Sequence, residues 1–175
     1  MKKYVLIFLL AGSISLIAQE ITSYNLDTKI DVISRSVFVN GTMDVDFQNK
    51  DTLKLILWKY SAIRKINSDN CRLRYNFDTV SPSPNMYIKE GGELTIIKQS
   101  DTPDKQSIKI NYLCDMRNMN GWTQVFSDDW IELNIYSAWF PVSMNGGNFT
   151  SSIKIHIDKG YAITGSGIIS KNNDA

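Results

Sequence analysis

The sequence predicts an all-β fold, an antiparallel β-sandwich or a pair of saddle-like curved sheets. Three observations carry that reading. Apolar residues recur at every second position through five stretches, clusters of Gly, Pro, Asn, Asp and Ser separate those stretches, and past residue 20 no sustained 3.6-residue apolar period appears. Each stretch has one wet face, which suits antiparallel sheets packed on a core from one side.

The chain opens with a different pattern. Lys2 and Lys3, an apolar run from Tyr4 to about Ile17 and the small residue Ala18 read as a secretory signal peptide. The run is shorter than the roughly 20 residues a spanning helix needs, and no cysteine follows it to take a lipid. Cleavage after Ala18 or Gln19 removes both lysines and turns the net charge from +1 to −1. The expected organisation is a signal peptide over 1–19, one β-sandwich domain over 20–170 and a polar tail over 171–175. Such a chain is secreted, to the periplasm or outside the cell, from a bacterial host, with no stable membrane insertion once the leader is gone.

The strongest strand follows from Val37. Val37, Val39, Met43, Val45 and Phe47 share one face, and Asn40, Thr42, Asp44 and Asp46 lie on the other, with Phe38 among them; Gly41 marks a bulge or bend. The alternation returns in Leu53, Leu55 and Leu57, in Ile108, Ile110 and Tyr112, in Ile131, Leu133 and Ile135, and in Ile153, Ile155 and Ile157. Weaker strands are expected over 20–27, 29–35, 71–77 and 93–98. Residues 115–129 read as a long loop, longer than a hairpin connection requires, so they are expected to pack against or bind something.

Composition excludes several functions. The 175 residues contain one histidine, His156, and two cysteines, Cys71 and Cys114, too few for ordinary zinc catalytic or zinc-finger sites. With 19 Lys and Arg against 18 Asp and Glu there is no basic footprint for nucleic acid. His156 has no motif supplying a nucleophile or an orienting partner and reads as a surface histidine. Asp128, Asp129 and Glu132 lack the spacing of a calcium loop and read as strand-entry carboxylates. No cofactor and no metal site is expected.

Both cysteines fall on apolar faces, Cys71 in line with Leu73, Tyr75 and Phe77, and Cys114 with Ile110 and Tyr112. An oxidising compartment permits a disulfide closing a loop of about 40 residues, worth roughly 4 kcal/mol in the chain-entropy model. Two separately buried thiols are the alternative, because pairing needs Cα atoms within about 7 Å. Trp122, Trp130 and Trp139 fall close together, with Phe126, Tyr136 and Phe140 among them; they either fill the core or offer exposed rings for stacking on sugars. The sequons at Asn40 and Asn148 matter only in a eukaryotic secretory host.

Two blocks carry a family resemblance. Tyr24-Asn25-Leu26-Asp27, Arg35 to Gly41 and Asp44 to Asn49 form the first; Ala138-Trp139-Phe140-Pro141, Phe149-Thr150, Ile153 to Ile157, Lys159 to Ala162 and Gly165-Ser166-Gly167 form the second. Over residues 21 to 169 the chain resembles the N-terminal β domain of aminopeptidase N-type (gluzincin) zinc metallopeptidases. The resemblance implies a saddle-like domain that walls a substrate cleft and covers the zinc site of a separate domain. The family's H-E-x-x-H zinc motif and G-x-M-x-N segment have no counterpart here, so the implied function is a scaffold or binding module without catalysis. Its implied partners are a separate or lost catalytic domain and a peptide or glycan ligand. Gln124 lies upstream of Trp139, loosely where some members carry a glutamine that helps bind the substrate's amino group; its surroundings do not match, so the role is not carried over. Trp122, Gln124, Trp130 and Trp139 are the candidate ligand or interdomain surface. A carbohydrate- or surface-binding module using the tryptophans is the alternative of a different class.

Overall fold

The longest ladder begins with a hairpin. Strands β1 (Ile21–Asp31) and β2 (Ser36–Asp46) pair antiparallel with Ile30 opposite Val37 and Leu26 opposite Gly41. Their turn is closed by the Asp31 carboxylate, which accepts from the Ser34 amide at 2.9 Å, and by Arg35 at φ 50°. The computed structural model describes residues 20–121, 124–158 and 160–170. The signal peptide and the tail expected at the two termini lie outside the described residues.

Eleven-residue strand β7 (Lys105–Asp115) pairs with the other side of β2, and β4 (Ser61–Ser68) pairs with β7. At the far edge β12 (Thr150–His156) runs parallel to β1, placing Leu26 beside Ile153. The five-stranded order is β12-β1-β2-β7-β4. A second, four-stranded sheet has β3 (Thr52–Trp58) and β6 (Gly91–Lys98) in its centre, β5 (Leu73–Asp78) at one edge and β11 (Val142–Ser143) at the other. Short strands β8 (Asn120–Gly121), β9 (Gln124–Phe126) and β10 (Ile131–Glu132) make a small third sheet. The chain is all-β as expected, and every pairing but β1 with β12 is antiparallel.

One buried cluster joins the two large sheets. Leu26, Val37, Val39, Met43, Ile108 and Ile110 come from the first; Leu53, Leu55, Leu57, Leu94 and Ile96 from the second. The period-two reading of β2 and β7 is therefore correct; in β3 it holds for Leu53, Leu55 and Leu57, but Ile56 and Trp58 on the face expected to be wet are buried as well. Gly41 is not a bulge: the register runs unbroken from Leu26 through Gly41 to Ile110. A Cβ there would fall on the Asn25 carbonyl oxygen and within 2.9 Å of the Leu26 Cα, so close approach of β1 demands the glycine.

Four expectations are corrected. The two strands expected over 20–27 and 29–35 are one, β1, whose alternation is hidden by Thr28, a fully buried polar residue whose hydroxyl has no hydrogen-bond partner among the described residues. The alternation at Ile131, Leu133 and Ile135 is a strand for two residues only. It then gives way to a 3-10 turn, Ile135–Ser137, capped by the Asn134 side chain. Within the expected loop 115–129 lie β8 and β9.

The fourth concerns the thiols, which do not form the considered bridge: Cys71 and Cys114 are both free. Ser68 pairs with Ile108, six residues along β7 from Cys114, or about 20 Å at strand rise. Three residues from Ser68 to Cys71 recover at most about 10 Å. The pair stays beyond the reach of a disulfide.

Candidate interaction surface at one end of the sheets

Antiparallel topology gathers particular turns at each end of the molecule. The β1–β2 turn, the β3–β4 turn, the loop from β5 to β6 and the segment after β7 share one end. Backbone bonds knit them together. Asp115 N–H donates to the Tyr60 carbonyl at 3.1 Å, Met116 N–H to Arg35 at 2.8 Å, Lys59 N–H to Glu90 at 2.9 Å and Trp58 N–H to Ala138 at 2.8 Å. The buried Trp58 indole N–H donates to the Asp115 carbonyl at 2.7 Å. Arg35 reaches Asp128 at 3.8 Å, which brings the 127–130 turn to the same end.

That end is apolar on the outside. Among described residues, six large apolar side chains are more than half exposed, and five of them stand here: Ile33 93%, Val80 94%, Met86 78%, Tyr87 71% and Trp130 60%. The sixth, Ile168, belongs to the C-terminal segment. The loop carrying Val80, Met86 and Tyr87 is held in shape. The Asp78 carboxylate accepts from the Val80 and Ser81 amides at 2.9 and 3.0 Å, and the Ser81 side chain above all, together with these amides, lowers its pKa; Asn85 accepts from the Tyr87 amide at 2.8 Å. Ile88, 4% exposed, anchors the loop, and Gly91 leaves room for it beside Ile56. A fixed loop presents its apolar residues without an ordering cost at the moment of binding.

The opposite end is more polar, its 144–149 turn leaving Phe149 38% exposed and its other turns pairing their charges. Lys98, its side chain 3% exposed, donates to the Thr102 carbonyl at 2.9 Å and lies 3.3 Å from Asp104 and 3.7 Å from Asp51. Asp104 also accepts from the Asn49 amide at 2.8 Å. No large apolar side chain of the 47–51, 69–72 or 99–104 turns is exposed.

The described residues expected to bind do not all reach the surface. Trp139 is 5% exposed and belongs to the core, so its place on a ligand surface is corrected. Its ring meets Phe140 edge-on at 5.1 Å, and its carbonyl accepts from the Tyr112 hydroxyl at 2.9 Å and the Cys114 thiol at 3.6 Å. The Tyr24 hydroxyl donates to the Pro141 carbonyl, so two buried phenols hold the Trp139-Phe140-Pro141 segment. Burial raises the pKa of both phenols and pushes the Cys114 thiol up to about 12, the Ser61 hydroxyl opposing in part. Trp130 is exposed, with Ser127 clasping its backbone. Gln124 lies in β9, its backbone paired with Gly121. Trp122 lies outside the described residues.

His156 is on the surface, its Nε2 3.0 Å from Asp27. Among the described residues no three His, Cys, Asp or Glu side chains converge where a metal could sit. The sequence reading missed the apolar loop of Val80, Met86 and Tyr87; the signal was Met86-Tyr87-Ile88 amid turn residues, of which only Ile88 is buried.

No protein-family model matches the chain, and no curated protein matches it. Solved structures of yeast leukotriene A4 hydrolase do. The native enzyme is 14% identical over 89% of this chain and 25% of its own, with a TM-score of 0.53. The bestatin complex gives 13%, 78%, 23% and 0.48, and the native enzyme from Saccharomyces cerevisiae 13%, 78%, 23% and 0.45. The likeness is one of fold. This chain spans about a quarter of the length of those enzymes.

Proposed function

We propose that this chain is a non-catalytic β module, exported from the cell, of the kind that forms the N-terminal domain of aminopeptidase N-type metallopeptidases. It works as a scaffold that docks a separate catalytic domain through its apolar end. The observation that carries this reading is the pairing of a fold match over 89% of the chain with the concentration of exposed Ile33, Val80, Met86, Tyr87 and Trp130 at one end. Exposed apolar side chains gathered together mark protein contact surfaces. The matched fold is a quarter of an enzyme, which makes the remaining type of domain the fitting occupant. Tyr87 and Trp130 are the expected anchors, since aromatic residues dominate such contacts.

The purified chain, supplied with zinc, is tested on aminoacyl-arylamides. No hydrolysis is expected, and zinc-dependent turnover that follows the protein through purification overturns the non-catalytic reading. A second reading rests on Trp130 alone, a ring 60% exposed that can stack on a sugar. Binding on a glycan array that Trp130→Ala abolishes would favour it over docking; silence across the array removes it.

A further inference from the structure

We propose that Asn145 is a site of spontaneous deamidation, and that the change releases the start of β1. Three Asn-Gly pairs occur: Asn40-Gly41, Asn120-Gly121 and Asn145-Gly146. The reaction needs the backbone nitrogen after the asparagine to attack the side-chain Cγ, and glycine hinders that attack least. The new N–Cγ bond closes a succinimide, the Cγ–Nδ2 bond breaks and ammonia leaves. Water then opens the ring at either carbonyl, leaving aspartate or isoaspartate.

Backbone freedom separates the three pairs. Asn40 and Gly41 lie inside β2 with ladders on both sides, and Gly41 is crowded by the Asn25 carbonyl. Asn120 and Gly121 form β8, paired with β9. Asn145 is in a turn after β11, exposed, and Gly146 has φ +71° with no atom within 4 Å of where a Cβ would stand. Of the three, that pair alone lies outside a strand ladder with open space at its glycine, and the Glu20 bond to Asn145 must open for the ring to close.

The consequence follows from what Asn145 holds. Its Nδ2 donates to Glu20 Oε1 at 2.7 Å, and Ser143 Oγ donates to Oε2 at 2.7 Å. Glu20 is 8% exposed, and its carbonyl accepts from the Asp46 amide at 2.8 Å. This clasp ties the turn after β11 to the start of β1 and the end of β2. Deamidation replaces the donor with a second carboxylate facing Glu20, and two like charges at that distance repel.

The folded protein is incubated at mildly alkaline pH and physiological temperature and followed by peptide mapping. Asn145 is expected to convert to aspartate and isoaspartate while Asn40 and Asn120 persist, and Asn145→Gln stops the conversion. Persistence of Asn145, or earlier conversion of either other asparagine, overturns the site. For the clasp, Asn145→Asp is expected to lower Tm by a few degrees and Glu20→Gln to restore most of the loss in that background. An unchanged Tm in Asn145→Asp, or no recovery, overturns it.

Discussion

Tyr24 and Tyr112 sit where the two kinds of information in this chain meet. The burial of Tyr112 is legible from the period of two, in the row of Ile108 and Ile110, whereas that of Tyr24 is not, because the register of β1 shifts between Ile21 and Ser23. Neither partner is legible, since the Pro141 and Trp139 carbonyls arrive from residues far along the chain. Tyr24→Phe removes a donor and strands a buried carbonyl, which is expected to cost about 1–3 kcal/mol, read from the urea midpoint. The same groups set an alkaline limb. Burial raises the folded pKa of Tyr24 and Tyr112 and puts that of Cys114 at about 12, whereas unfolded Cys and Tyr release protons near about 8.5 and about 10. The unfolded chain then holds fewer protons, so stability is full below about pH 8.5 and falls as pH rises. Urea midpoints across pH check this, and Cys114→Ala should remove the earliest part of the fall.

At the scale of elements, regular strands were legible and interrupted ones were not. β4 was missed because its apolar residues Ile63 and Ile66 are three apart, and the cause is a bulge between Ile63 and Lys65 that inserts one residue into the ladder. The Trp122 to Trp139 region misled for another reason: aromatic content alone does not say which ring turns inward, and Trp139 is drawn in by the 3-10 turn and the left-handed Ala138 at φ 44°. Gly41 shows an element-level constraint that can be measured. Gly41→Ala forces β1 and β2 apart against the pairing of eleven-residue strands, with an expected loss of about 1–3 kcal/mol. An equal substitution at Gly146, where nothing lies within 4 Å, meets no such contact and is opposed only by its positive φ.

Across the whole molecule the two ends differ in chemistry although the same sheets build both. Turns at 47–51 and 99–104 direct their carboxylates to Lys98, Asp69 of the 69–72 turn pairs with Lys109, and Phe149 at 38% is the large apolar side chain exposed in the turns of that end, whereas the other end leaves Ile33, Val80, Met86, Tyr87 and Trp130 more than half in water. Sequence could not show this asymmetry, because it arises only when the ladders decide which turns become neighbours. The scaffold reading depends on it. Its most direct test is site-specific photo-crosslinking in the producing cell, with the reactive side chain placed at Tyr87 in one variant and at Asn49 in another. Cross-links from Tyr87, absent from Asn49, to a protein or domain bearing an H-E-x-x-H motif are the expected result. Equal labelling from both ends, or no protein cross-link from Tyr87, would contradict the docking of a catalytic domain at the apolar end.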